Sequence, residues 1–167
     1  MEDNLQVRAA EREDCRIALR LNEAAVPAVN SIPEAVMVRF YETAPYFRVA
    51  VLDGNVVGFL IGLDPSADYD SPNFQAFKKM YESFIYVDRI VIGEKFRRMG
   101  IGNLLYRDLE IFATDRFPRI TCEVNTKPYN GASLDFHEAQ GFRQVGSQDT
   151  EGGAKTVALL TKRVAVR

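Results

Sequence analysis

Phe84-Ile85-Tyr86-Val87-Asp88-Arg89-Ile90-Val91-Ile92-Gly93-Glu94-Lys95-Phe96-Arg97-Arg98-Met99-Gly100-Ile101-Gly102 is the stretch that decides the fold. From Phe84 to Ile92 it is rich in β-branched and aromatic residues, with polar interruptions only at Tyr86, Asp88 and Arg89, which predicts a central strand covered on both faces. Gly93 ends the run. After Gly100 the period changes: Ile101, Leu104, Leu105, Leu109 and Phe112 recur three and four apart while Asn103, Arg107, Asp108 and Glu110 take other faces, the pattern of an amphipathic helix. At the junction, Gly100 and Gly102 permit a tight turn and a close approach of backbone to ligand, and the first amides of the helix point outward. With Arg97 and Arg98 beside them, these residues predict a phosphate-binding turn; a plain strand-to-helix connection is the alternative.

Two nucleotide-binding motifs are tested by spacing and fail. A nucleotide-hydrolase phosphate loop needs Lys then Ser or Thr after its last glycine, whereas Asn103 and Leu104 follow Gly102. A dinucleotide fingerprint needs three glycines spaced G-x-G-x-x-G, and only the first pair is present.

Working outward, 167 residues, 47% hydrophobic and 26% charged, suit a single domain over residues 1–167 with one good core. Lys plus Arg total 21 against 23 Asp plus Glu, so no basic excess draws nucleic acid or an anionic membrane; Lys95, Arg97 and Arg98 form a local cluster only. Cys15 and Cys122 lack metal-ligand spacing and are read as reduced thiols of a cytoplasmic protein, with one disulfide as the alternative. No secretory leader or run of about 18 apolar residues is seen.

In chain order, Leu5 to Arg8 reads as an edge strand and Glu13 to Ala25 as a first helix. Ser31-Ile32-Pro33-Glu34 has the form of a capping box for a second helix carrying Val36, Met37, Phe40 and Tyr41 inward. Asn22, Glu23 and Asn30, between these helices, read as caps and helix ends rather than substrate contacts. Phe47 to Leu52 and Val56 to Leu63 flank Asp53-Gly54-Asn55, a hairpin signal. Asp64 to Ser83 is a long connection whose Tyr69, Phe74, Phe77 and Tyr81 either line an acceptor pocket or tuck a surface helix against the sheet. Ile120 to Asn125 reads as a buried strand, Asn130 as the cap of a short helix ended by Gly141, and Phe142 to Ser147 with Thr156 to Arg163 as a closing hairpin across the loop from Gln148 to Lys155. The order β-α-α-β-β-β-α-β-α-β-β is α+β with one mixed sheet.

Arg97-Arg98-Met99-Gly100-Ile101-Gly102 resembles the acetyl-CoA pyrophosphate loop, Arg/Gln-x-x-Gly-x-Gly/Ala, of the GNAT superfamily of N-acetyltransferases. Glu123-Val124-Asn125, Asn130, Ser133 and Phe136-His137-Glu138-Ala139-Gln140-Gly141-Phe142 look like that family's following strand, helix and closing Gly-Phe. The resemblance spans about the C-terminal half of the chain. It implies a central mixed, mostly antiparallel β-sheet flanked by helices, with two parallel strands splayed at their C-terminal ends to form an acyl-CoA cleft. By it, the backbone of Ile90, Val91 and Ile92 would pair with the pantetheine arm, and amides of Arg97, Arg98, Met99, Gly100, Ile101, Gly102 and Asn103 would hold the pyrophosphate. Asn125, Asn130 and Ser133 complete the implied acetyl-CoA contacts.

Such a site would bring thioester and amine together for direct attack in a ternary complex, with no metal and no covalent enzyme intermediate. The amide of Ile92 could stabilise the oxyanion. Glu123 is the first candidate for the base, matching the Leu-Glu-Val position of some members. Asp88, on a strand face with Ile90 and Ile92, is the second, and a paired structural charge is the alternative for either. His137 stands where the family usually has Tyr. With a reference pKa of ~6.5 it could serve as the acid, or it is structural and the thiolate leaves to water. The expected function is acetyl transfer from acetyl-CoA to a primary amine of a small molecule or amino acid. A non-catalytic acyl-CoA-binding sensor and a protein N-terminal or lysine acetyltransferase are the alternatives, and a homodimer is left open.

Overall fold

The computed structural model describes residues 4–165. Its elements, in order, are β1 (Leu5–Ala9), α1 (Asp14–Ala24), α2 (Glu34–Thr43), β2 (Tyr46–Leu52), β3 (Asn55–Leu63), α3 (Pro72–Met80), β4 (Ile85–Ile92), α4 (Ile101–Ala113), β5 (Arg119–Lys127), α5 (Gly131–Ala139), β6 (Arg143–Thr150) and β7 (Lys155–Arg163). Short 3-10 turns occur at Glu94–Phe96 and Glu151–Gly153. The fold is mixed α/β, its strands mostly antiparallel with one parallel pair. The chain forms two compact units: one takes it up to Leu63 together with Val87–Phe112, the other takes Asp64–Tyr86 together with the chain from Ala113 onward.

In the first unit the strands run in the order β1-β2-β3-β4. β1 pairs antiparallel with β2 from Leu5↔Leu52 to Ala9↔Arg48, and β2 with β3 from Tyr46↔Gly62 to Leu52↔Asn55. Asp53 and Gly54 join β2 to β3 with φ of 49° and 83°, the left-handed pair that a two-residue hairpin of matching twist requires. Gly58 is needed for a different reason: a Cβ there would lie 2.9 Å from the Val91 carbonyl oxygen, so only glycine lets β3 lie this close to the end of β4. The core comes from Val49, Ala50, Phe59, Leu60 and Ile61 of the strands, Ala18 of α1 and Met37 of α2.

The capping box expected at Ser31 and Glu34 does not form. The Ser31 hydroxyl donates to Glu23 Oε2 at 2.6 Å, and α2 starts after Pro33 with no side-chain cap. The Glu23 carboxylate also accepts from the Ile32 amide at 3.1 Å, holding this segment outside the helix, whose N-cap position is Pro33.

In the second unit the order is β4-β5-β7-β6. The N-terminal end of β4 pairs in parallel with β5 at Ile85↔Ile120 and Tyr86↔Thr121. β5 then pairs antiparallel with β7, and β7 with β6, whose hairpin extends to Thr150↔Lys155 and so has a shorter loop than the sequence suggested. α3 was missing from the expected element order. It starts where Ser71 Oγ accepts from the Phe74 amide at 3.5 Å with Pro72 in its first turn. Phe74 and Phe77 are fully buried, with ring centroids 5.4 and 5.9 Å from Tyr86. These rings are core, each worth about 1.5–3 kcal/mol of burial, and not an acceptor wall. Cys15 and Cys122 are buried free thiols.

Candidate active site

The predicted turn is built by the first unit. β4 ends at Ile92, and the Gly93 amide donates to the Val57 carbonyl at 2.8 Å, fixing where the chain leaves the sheet. After the 3-10 turn, Arg98 and Gly100 take left-handed φ of 64° and 80° and α4 begins at Ile101. The Leu104 amide bonds the Gly100 carbonyl at 3.0 Å, so the amides of Ile101 and Gly102 stand ahead of that rung at the helix N-terminus. Ile101 is buried and seats the helix, while Arg97, Arg98, Met99, Gly100 and Asn103 are exposed. A Cβ at Gly100 would meet nothing within 4 Å. Amide donors, the positive end of a four-turn helix, two exposed guanidinium groups and an open approach together fit a diphosphate.

α4 is fixed further along by Asp108, whose carboxylate accepts from the Tyr46 hydroxyl at 2.7 Å and pairs with Arg48 at 3.2 Å. Burial, reinforced by the neighbouring Asp108, raises the Tyr46 phenol far above its ordinary range, so it remains a donor.

On β4, alternation puts Val87, Arg89 and Val91 in the core and leaves Asp88, Ile90 and Ile92 half-buried. Asp88 shares that face with the two isoleucines, yet its side chain is only 3% exposed. Solvent therefore reaches its main chain rather than its carboxylate. The carboxylate bonds the Arg89 Nε at 2.7 Å. Arg89, whose side chain is 6% exposed, also donates to Asn22 Oδ1 at 2.9 Å and to the Asn30 carbonyl at 3.2 Å, and its guanidinium lies 5.6 Å from the Phe40 ring centroid. Asn22 Nδ2 adds a bond to the same Asn30 carbonyl at 3.0 Å. Asn22 and Asn30 thus hold Arg89 and the α1–α2 link, and Glu23 holds the link through Ser31 and Ile32; the part is structural, but none of the three is the N-cap or C-cap residue of either helix.

Glu123, on β5 of the second unit, is half-buried. Both of its carboxylate oxygens lie within hydrogen-bond distance of the Tyr86 hydroxyl, Oε1 at 2.8 Å and Oε2 at 2.7 Å. Asn125 lies two residues on, and its carbonyl accepts from the Asn130 amide at 3.1 Å. Asn130 Oδ1 accepts from the Ser133 amide at 3.3 Å, so this side chain caps α5.

His137 is buried against Phe136 and Phe142, each ring edge-on at 5.3 Å. Its Nδ1 stands 2.7 Å from the Ser133 carbonyl oxygen, which can only accept, so Nδ1 carries the proton and Nε2 is the acceptor nitrogen. Burial lowers its pKa below the ordinary His value despite the opposing bond to Ser133. The ring is therefore neutral at pH 7.

Among the described residues no group of three His, Cys, Asp or Glu is placed to hold a metal, and no helix is long and apolar enough to cross a membrane. Sequence reading missed Tyr86, which looked like a mere interruption of an apolar strand, and Arg89, whose partners Asn22 and Asn30 lie 67 and 59 residues away.

A mixed sheet with one parallel pair, and a glycine turn joining its strand β4 to helix α4, place the chain in the mixed α/β class of fold. The profile described as Acetyltransferase (GNAT) family matches residues 7–142, and the chain belongs to that family of acetyltransferases. No curated protein sequence matches it. Among solved structures it is similar to Ard1 from Thermoplasma volcanium, at 19% identity over 96% of this chain and 98% of that one, with a TM-score of 0.76. It is similar to the ribosomal-protein-S18-alanine N-acetyltransferase from Escherichia coli, at 14% identity, 98% and 96% coverage and a TM-score of 0.73. Naa20 from Chaetomium thermophilum, in complex with a bisubstrate analogue, matches at 22% identity, 95% and 86% coverage and a TM-score of 0.74.

Proposed function

We propose that the protein transfers the acetyl group of acetyl-CoA to a primary amine of a small molecule or amino acid by direct attack in a ternary complex. The observation that carries this reading is the turn at residues 97–103, where Arg98 and Gly100 take left-handed backbone, nothing lies within 4 Å of where a Cβ at Gly100 would stand, and α4 opens at Ile101. The first amides of α4, with Arg97 and Arg98, take the pyrophosphate. The solvent-reached main chain of β4 at Asp88, continuing through Ile90, Val91 and Ile92, takes the pantetheine arm as an added strand would. Asn125 is proposed as an acetyl-CoA contact, while Asn130 and Ser133 act through the cap that shapes the start of α5.

Acetyl-CoA supplies the activated acyl group, and the chain supplies position and proton transfer. Glu123 is the base that takes the proton of the acceptor ammonium, its carboxylate being held in one orientation. The ion pair with Arg89 gives Asp88 a structural part. His137, neutral and with its proton directed at Ser133, clamps α5 rather than donating a proton, so the thiolate departs to water.

A second reading, a peptide or protein amine as acceptor, draws support from the acceptor named for the Escherichia coli neighbour and from the bisubstrate analogue on Naa20. Calorimetry with coenzyme A, followed by thiol release from acetyl-CoA across amines, amino acids and peptides with free amino termini, tests both. Tight coenzyme A binding with turnover on at least one amine is expected. No binding refutes the proposal, and binding without turnover on any amine assigns the chain to acyl-CoA sensing. Glu123→Gln is expected to lower kcat by about 10²–10⁴-fold with the KM for acetyl-CoA little changed.

A further inference from the structure

We infer that Tyr86 is a positioning residue for acetyl transfer, its buried phenol fixing the Glu123 carboxylate and holding it ionised so that it can accept the amine proton. This rests on the reading of Glu123 as the base. The Tyr86 ring is fully buried, its hydroxyl lies nearly equidistant from the two carboxylate oxygens, and the rings of Phe74 and Phe77 keep it there. One O–H within reach of both oxygens favours the orientation in which the carboxylate faces the phenol. The hydroxyl is the donor of this bond and the carboxylate its acceptor, and a hydrogen bond accepted by a carboxylate favours its ionised form.

On β5, Thr121 and Asn125 are the same-face neighbours of Glu123, and β7 sets Leu159 opposite it. α3 presents Phe74 and Phe77 to Tyr86 and keeps Lys78 and Lys79 exposed. α5, packed on β5, carries the buried His137 and the exposed Asp135 and Glu138. Two residues beyond Tyr86 on β4, Asp88 is ion-paired with Arg89.

The experiment compares wild type, Tyr86→Phe and Glu123→Gln in kcat/KM against pH, with a melting curve for each. Tyr86→Phe keeps the ring and removes only the donor, so its acid limb is expected to move up by about 1–2 pH units, with the KM for acetyl-CoA unchanged. Carboxyl NMR of Glu123 with labelled glutamate, assigned by the Glu123→Gln spectrum, should show the same upward shift without substrate. 3-Fluorotyrosine placed at residue 86, a stronger donor of nearly the same shape, should move both readouts the other way, and it serves if the Phe variant does not fold.

An acid limb and a Glu123 titration that stay put in a folded Tyr86 variant overturn the inference while leaving the base standing. Wild-type rate and an unchanged acid limb in Glu123→Gln overturn the base itself, and the inference with it.

Discussion

Replacing Arg89 by Met should destabilise the protein by about 3–5 kcal/mol, the range for removing one partner from a buried ion pair. Met fills much of the same volume and keeps an apolar contact to Phe40, so the cost is electrostatic rather than a cavity. What remains is an Asp88 carboxylate with its side chain 3% exposed and no cation at 2.7 Å, together with a fully buried Asn22 whose Oδ1 has lost its donor. At about 2–4 °C per kcal/mol for a chain of this length, the melting temperature should fall by roughly 6–20 °C.

Asp88→Asn should cost a comparable amount by leaving the guanidinium buried without its anion. The double variant, carrying neither charge, should be more stable than the sum of the two losses requires by about 2–3 kcal/mol. Urea unfolding of the four proteins closes the cycle. Either single variant within 1 kcal/mol of wild type, or strictly additive losses, would refute the argument. A folded Asp88→Asn protein of wild-type stability that had lost its kcat would show instead that Asp88 is the base.

Three further outcomes follow from the same structure. His137 is held below the ordinary His pKa by burial, so the unfolded chain binds its proton first on acidification. Its contribution is complete above pH ~6.5 and is lost as pH falls below that value, so urea midpoints measured from pH 7 to 5 should drop more steeply for wild type than for His137→Gln. Gly100→Ala forces a side chain into φ of 80° with nothing nearby to clash, so it should cost only about 1–2 kcal/mol in unfolding, yet raise the KM for acetyl-CoA at least tenfold. Tyr46→Phe removes the 2.7 Å bond to Asp108 but leaves the Arg48 pair in place, so urea unfolding should register a loss of about 1–2 kcal/mol with no change in the acid limb of activity.

Local chemistry made much of this legible. Asp53-Gly54 could form little but a left-handed hairpin turn, Asn130 had only to reach the amide three residues on to act as a cap, and Gly100 marked the turn it occupies. The readings that failed were those in which a distant group outbid a local one. Ser31 lies three residues before Glu34, yet α2 begins only at Glu34, so Ser31 lies outside the N-cap position and its hydroxyl donates to Glu23 instead. Tyr86 and Glu123, 37 residues apart, leave no shared period in the sequence, so resemblance pointed to the carboxylate while nothing pointed to the phenol beneath it. Asp88 was correctly placed on a face with Ile90 and Ile92, but its pairing with the adjacent Arg89 was invisible, since neighbours on a strand normally point to opposite sides.

At the opening of α5, the ring of Tyr129 is 78% exposed and doubles back across Gly131, where a Cβ would lie 2.8 Å from Cε1 of that ring. Gly131 has helical backbone that any residue could adopt, and alanine would be preferred there by about 1 kcal/mol. A side chain at 131 therefore requires this exposed ring to swing aside, so the two positions are coupled through the ring and not through the chain path. Variation at the two positions should be linked: proteins with a small residue in place of Tyr129 should carry alanine or serine at 131, and those keeping the aromatic should keep the glycine.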